Sequence, residues 1–455
     1  MTCGDCRRAA AGYAVAMLAQ AGRTLMRWLY TLTMYILTPV IIYRLAARGL
    51  RLRGYYSRWL ERFGFFPDPG LHDTIWVHAV SVGEVNAAAP LVDALRARYG
   101  DARMVVTTVT PTGSDRVRRL WGDRIFHVYL PYDLPAAVKR FLARVRPRYV
   151  VIMETEIWPN LFLACHRQDI PIVVANARLS ERSLRGYGPV RPLARMAIRC
   201  ASHVAAQSQP DAERLLELGA DPARLSIAGN LKYDMDVPGE LVPQAARWRG
   251  TWGHQRPVWI AASTHEGEEQ AVIEAHSRVL HRFPDALVLI APRHPERFRP
   301  VLQLCRSYGF VTACRSEDRL AGADTQCFVI DTLGELLAFY AAADVAFVGG
   351  SLDAIGGHNL LEPAALGVPV LVGPHTFNFT EVTDLLLDAD AVLRVDDANG
   401  LAEALPRLLS DPQRRLAMGR SARTTVERER GAVARTLEII DRVNAAAATE
   451  ATPPA

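Results

Sequence analysis

The sequence predicts an α/β protein made of two doubly wound domains, each a parallel sheet with helices on both faces. Three observations predict it. After Asp73, short and continuously apolar runs rich in Val and Ile alternate with longer helical patterns, as strands buried on both faces require. The rhythm is heard twice, either side of a stretch (233–253) holding Pro238, Gly239, Pro243 and Gly250, which reads as a linker. The 455 residues suffice for two or three domains, and 50% apolar with 22% charged residues is ordinary globular composition. That composition excludes a disordered, collagen-like or disulfide-stapled chain. The net charge of +5 is too mild over this length to argue for a nucleic-acid partner. The seven cysteines are scattered, with one CxxC at Cys3 and Cys6 and no second pair. This fits a reducing compartment and is weak support for zinc or redox chemistry.

The first element is apolar. Residues 28–43 read WLYTLTMYILTPVIIY, sixteen positions without a charge, closed by Arg27 and Arg44. A full span needs about 20 residues, so the run predicts a single anchor over 26–45, crossing the bilayer or lying in its interface. No small-residue cleavage site follows it. Arginines are more numerous on the downstream side (Arg44, Arg48, Arg51, Arg53, Arg58, Arg62), which predicts a cytoplasmic body. They are interleaved with Tyr55, Tyr56, Trp59 and Phe63, a belt suited to an anionic membrane surface; a solvated helix face has the same composition. Residues 1–25 are an Ala-rich extension, and Met26 stands where a shorter chain could begin.

Strands are expected over 75–80, 104–108, 127–130, 149–153, 172–175 and 204–207 in a domain spanning 46–232. A second set is expected over 258–261, 286–290, 327–330, 345–348, 368–372 and 391–395, in a domain spanning 254–430. A C-terminal helix and a frayed tail fill 431–455. Two such domains are expected to face each other across a cleft, with ligands at the loops that follow the strands.

Those loops are dense in polar residues. After the first strand, Gly83 permits a turn and Glu84 opens a helix. Glu84 either complements the helix dipole or serves as a general base, its pKa raised by desolvation. After the fourth strand come Glu154 and Glu156; two inward carboxylates so close are costly, so one is expected to be structural. Lys232 follows the last strand of this half, either solvated or offsetting negative charge. In the second half, Arg293 on a Pro-bounded loop suits phosphate. A loop at 331–335 opens a helix. The glycines Gly349, Gly350, Gly356 and Gly357 are expected to let backbone N–H groups approach a phosphate. Asn359 to Glu362 has capping-box spacing, and Glu362 has a second reading as acceptor from ribose hydroxyls. The run THEGEE at 264–269 lacks a second histidine one helical turn on and reads as an acidic helix start. There is no Walker P-loop, strand-flanked DxD or GxSxG elbow.

Eight stretches, in order, resemble the Kdo transferases of lipopolysaccharide assembly (Kdo is 3-deoxy-D-manno-oct-2-ulosonic acid). They are HAVSVGE (78–84), PYDL (131–134), METEIWPN (153–160), NARLSERS (176–183), GNLKYD (229–234), ASTHEGEE (262–269), PRHPERF (292–298) and the segment 356–363 followed by GPHTFNF (373–379). The likeness covers about residues 26 to 440. It implies a GT-B glycosyltransferase with the acceptor at the N-terminal domain and the donor in the C-terminal one. The implied donor is CMP-Kdo and the implied acceptor lipid IVA, a tetraacylated bisphosphorylated glucosamine disaccharide. The implied setting is the cytoplasmic face of the inner membrane, with neither metal nor cofactor. Carried over by position, Glu84 is the proton acceptor, and Glu154 and Lys232 are transition-state stabilisers. Pro292, Arg293, Leu333, Gly334, Glu335, Asn359, Leu360, Leu361 and Glu362 are the CMP contacts. Two other readings stay open: a GT-B relative for another lipid or sugar nucleotide, and a non-catalytic, membrane-tethered nucleotide-binding module.

Overall fold

The computed structural model describes residues 3–51, 53–235, 237–317 and 320–450; side chains of residues 3–23, 51, 53, 189 and 448–450 are outside the description. Cys3 and Cys6 are among these, so the CxxC is not described. The chain divides into two compact units, residues 1–235 with 430–455, and residues 236–429.

The first unit is built on seven parallel strands, β1 (Thr74–His78), β2 (Met104–Thr108), β3 (Phe126–Tyr129), β4 (Pro147–Met153), β5 (Ile172–Ala177), β6 (His203–Ala206) and β7 (Leu225–Ile227), in the order β3-β2-β1-β4-β5-β6-β7. Alternate residues feed separate cores on the two faces: Trp76, Val105, Val150 and Ile152 on one, Ile75, Val77, Val106 and Val151 on the other. Burial on both faces is why these strands are continuously apolar. The register sets His78 of β1 beside Thr107 of β2 and Ile152 of β4.

The second unit repeats the plan with β8 (Val258–Thr264), β9 (Leu287–Pro292), β10 (Thr312–Cys314), β11 (Cys327–Val329), β12 (Val345–Val348), β13 (Val370–Val372) and β14 (Val392–Arg394), in the order β10-β11-β9-β8-β12-β13-β14. Both sheets therefore reverse direction at their centre, between β1 and β4 in one and between β8 and β12 in the other. Crevices that bind ligands open beyond the carboxyl ends of such a pair.

Twelve strands fall on the expected runs, with ends moved by a few residues. The two unexpected ones, β7 and β10, are three-residue strands, and neither is apolar and buried throughout. Two other expectations change. Within the expected linker, Leu241–Trp252 is a helix whose Trp248 and Trp252 are buried in the second unit's core. The expected C-terminal helix runs Ala432–Glu450, and Ala432, Ile439 and Ile440 join the first unit's core; the tail from Ala445, expected to fray, stays helical to Glu450, and residues 451–455 lie outside the described residues.

The N-terminal helix runs Cys3–Arg51. Its segment Thr24–Leu50 is apolar and long enough to cross a membrane, and only 6% of its 18-residue apolar window is buried. Thr31 and Leu45 are buried, whereas Leu25, Trp28, Leu29, Leu32, Ile36 and Tyr43 are exposed. The helix rests on the first unit's helices Pro159–His166 and Arg191–Ile198.

Candidate active site

In the first unit, Glu84 and Glu154, two of the side chains expected to be functional, stand where β1 and β4 end. Ser81 caps the helix Val82–Tyr99, which carries Glu84 in its first turn. The carboxylate turns back, accepting from the Val80 N–H at 2.9 Å and from the Ser81 hydroxyl at 3.2 Å. Glu84 is thus a capping group, a more specific role than the helix-dipole partner that one reading held. Its electrostatics add more. The side chain is 9% exposed, and burial pushes its pKa up to about 7; the Val80 and Ser81 hydrogen bonds oppose the rise, while the nearby Glu154 and Glu156 carboxylates reinforce it. A carboxyl group titrating there can accept and release a proton at working pH.

Glu154 follows β4 directly with a left-handed backbone, φ 56°, held by its N–H to the Ala175 carbonyl at 2.9 Å. Glu156 is raised above the ordinary carboxylate range by burial and by Glu154. The charges of both carboxylates of this loop therefore reach Glu84, the costly arrangement for which one of them was expected to be structural.

Lys232 lies after β7, the outermost strand, yet the chain returns across the sheet. The one-turn helix Leu231–Asp234 packs on Val82–Tyr99, and Lys232 is partly buried. Asn176, at the end of β5 with φ 54°, draws it in by accepting from the Leu231 N–H at 2.9 Å. Asn176 was not singled out from sequence; its only signal was its place in NARLSERS. The Asp234 carboxylate accepts from Gly431 and Val433 at 2.6 and 2.5 Å, tying in the C-terminal helix.

In the second unit, the expected nucleotide contacts stand after β9, β11 and β12. Pro292 ends β9, and the Arg293 N–H bonds to the Thr264 carbonyl at 3.0 Å, leaving its side chain exposed. Leu333 is exposed and Gly334 takes φ 95°. Glu335 pairs with Arg315 at 2.9 Å and accepts from Thr332 at 2.5 Å. Burial pulls its pKa upward, but these two partners prevail and hold it low. Asn359 accepts from the Leu361 N–H and donates to Glu362, both at 3.1 Å. The helix there, Leu361–Ala365, is only five residues. Leu360 and Leu361 are buried, so they offer a ligand backbone rather than side chain.

One expectation is overturned. The amides of the loop after β12 are not free for phosphate, because the buried Glu268 carboxylate accepts from Gly350 at 2.6 Å and from Ser351 and Leu352 at 2.9 Å each. It also accepts from its own cap, His265, at 3.1 Å. A residue read as an acidic helix start is the anion in that glycine loop.

A histidine cluster escaped the sequence reading. His265, after β8, and His358, after β12, lie nearly coplanar, with an interplanar angle of 7°, and meet edge to edge, Nε2 to Nε2 at 2.9 Å. His294 meets His265 edge-on at 5.3 Å between ring centroids. Burial lowers the pKa of both His265 and His358, and the nearby Arg293 charge adds to it.

A family profile described as 3-deoxy-D-manno-octulosonic-acid transferase (kdotransferase) matches residues 57–235, and one for glycosyl transferases group 1 matches residues 314–425. The 3-deoxy-D-manno-octulosonic acid transferase of Haemophilus influenzae is 40% identical over 420 residues, 91% of this chain and 98% of the relative. The solved C-terminal CMP-Kdo binding domain of WaaA from Acinetobacter baumannii is 37% identical over 41% of this chain and 98% of that domain, with TM-score 0.40. UDP-GlcNAc 2-epimerase from Neisseria meningitidis, bound to UDP-GlcNAc, covers 81% of this chain and 98% of its own at 15% identity and TM-score 0.54, a likeness of fold alone. Two seven-stranded parallel α/β units with polar groups at both central reversals define a glycosyltransferase of the GT-B class. Within that class, the chain belongs to the 3-deoxy-D-manno-octulosonic acid transferase family.

Proposed function

We propose that this enzyme transfers Kdo from CMP-Kdo to lipid IVA at the cytoplasmic face of the inner membrane, with Glu84 as the general base. The observation that carries the mechanism is Glu84 itself, a buried carboxyl group pushed to about pH 7 beside two further carboxylates. A sugar hydroxyl is a weak nucleophile, and a base poised near the working pH removes its proton as the new bond forms. Glu154 and Lys232, at the same end of the first sheet, are the charged groups available to the developing transition state.

The second unit supplies the donor contacts in this reading. Arg293 faces the nucleotide phosphate, and Asn359 and Glu362 offer polar side chains to the ribose. The departing group is a phosphate, so a fixed guanidinium lowers the barrier to its loss. The apolar segment Thr24–Leu50 keeps the enzyme on the surface where a lipid acceptor resides. The relatives' name supports the transferred sugar. Lipid IVA follows from the ordered motifs of the family.

The test is direct. Purified protein is incubated with CMP-Kdo and lipid IVA, and the lipid is weighed by mass spectrometry. The expected result is a mass gain of one or more Kdo residues. Release of CMP with no gain in the lipid, or no consumption of CMP-Kdo, overturns the reading.

A further inference from the structure

We propose that His265 and His358 form a proton-sharing pair that donates a proton to the nucleotide phosphate as it leaves the sugar. The proposal rests on the reading of the second unit as the CMP-Kdo site. It starts from geometry. The two rings come from loops after β8 and β12, the pair of strands at which the second sheet reverses, where ligands of such sheets bind. They lie edge to edge and nearly coplanar, 5.1 Å between centroids, with Nε2 to Nε2 at 2.9 Å.

That separation constrains protonation. One ring must donate and the other accept, so the pair can hold one extra proton. A second would set two N–H donors against each other. The charged and titratable groups facing the pair come from three elements. Glu268 lies on the helix that His265 caps, Arg293 and His294 on the loop after β9, and Asp353 on the loop after β12. Burial holds His358 down to about 4, helped by Arg293 and the other two histidines. Burial lowers His265 as well, with His294 and Arg293 acting downward and Glu268 and Asp353 upward. The Glu268 carboxylate is already bound by four backbone amides, so it is an occupied anion. A phosphate arriving beside Arg293 adds the negative charge the pair lacks and draws the extra proton in.

The step balances. The acceptor oxygen bonds to the anomeric carbon of Kdo as the bond from that carbon to the phosphate oxygen breaks. The bonding pair passes to that oxygen. The acceptor's proton goes to Glu84 and the pair's extra proton to the phosphate, so CMP leaves as a monoanion and the histidines return to neutral. Solvent then restores both groups.

The test measures protons, not turnover. CMP is titrated into the full-length protein in detergent by calorimetry at pH 8, where free CMP is already a dianion, in two buffers of different ionisation enthalpy. The expected result is proton uptake on binding. That uptake disappears in His358→Gln and in His265→Gln, with affinity reduced about tenfold, the lower end for a charge-assisted hydrogen bond. CMP binding with no proton uptake by the unaltered protein overturns the proposal while leaving the nucleotide site standing. Uptake that persists in both variants overturns it too, by placing the proton elsewhere. No CMP binding at all removes the nucleotide-site reading and this proposal with it.

Discussion

Tyr30, on the apolar N-terminal helix, donates a 2.9 Å hydrogen bond to the carboxylate of Asp133. Its neighbour Thr31 donates to the Asn160 side chain at 3.1 Å. Asp133 is 1% exposed and also accepts from the backbone N–H groups of Asn160 and Leu161 at 2.9 and 2.8 Å. Burial pushes its pKa up to about 6 in spite of these donors. The N-terminal helix is therefore latched to the first unit by polar side chains as well as being apolar on its exposed side.

The latch predicts that the helix stabilises the unit it touches. Tyr30→Phe is expected to cost about 0.5–1.5 kcal/mol, the net worth of one hydrogen bond. Deleting residues 1–45 should leave a folded protein with a lower melting temperature. It should also reduce turnover on membrane-embedded lipid far more than on acceptor dispersed in detergent. Unchanged melting in both variants would mean that the latch does not hold in solution, and equal turnover losses in both assays would make the helix part of the catalytic core.

Glu84→Gln keeps the shape of the cap and removes the basicity. Turnover should fall about 10²–10⁴-fold, the usual contribution of a general base, with CMP affinity nearly unchanged. In the parent at saturating CMP-Kdo, kcat should rise with pH through a midpoint near 7, where Glu84 titrates, because kcat reports the groups of the bound complex. The stability sign follows from the same shift. The folded pKa of about 7 lies above the ordinary 4.5, so folding favours the protonated form. That contribution is complete below pH 4.5 and is lost as pH rises through 7. Glu84→Gln should therefore be more stable than the parent at pH 8, with the advantage shrinking toward pH 5. Turnover within a few-fold of the parent would leave Glu84 as a cap only.

Glu268 is a structural anion. It is fully buried and accepts from backbone groups at residues 265, 350, 351 and 352. Glu268→Ala strands four donors in a dry site, and removing one partner of such a buried charged network costs about 3–5 kcal/mol. Denaturant unfolding should show this loss. A change under about 0.5 kcal/mol, the scale of a surface substitution, would contradict the assignment.

Arg293 is exposed and makes its hydrogen bond to Thr264 through its backbone. Its guanidinium is therefore available without dismantling the fold. Arg293→Ala should weaken CMP binding by about 1.5–3 kcal/mol and leave the melting temperature almost unchanged. Calorimetry with unaltered CMP affinity would remove it from the donor site.

The sequence by itself determined the class and the positions of most elements. Apolar runs such as 149–153 and 345–348 are local signals, and burial on both faces writes them directly into the chain. It also placed Glu84, Glu154, Lys232, Arg293, Glu335 and Asn359 on loops after strands or at helix starts, because turn and cap residues act over three or four positions. The short edge strands β7 and β10 left no such trace, since strands not buried throughout need no apolar run. Strand order was decided only by the tertiary structure, and with it every relationship across the central reversals. Glu268 meets the Gly350 loop across 82 to 84 residues, His265 meets His358 across 93, and Tyr30 meets Asp133 across 103. No local period encodes such pairs. The same is true of the titration of Glu84: a cap and a base share one local sequence, and what separates them is the desolvation and the neighbouring carboxylates that folding brings.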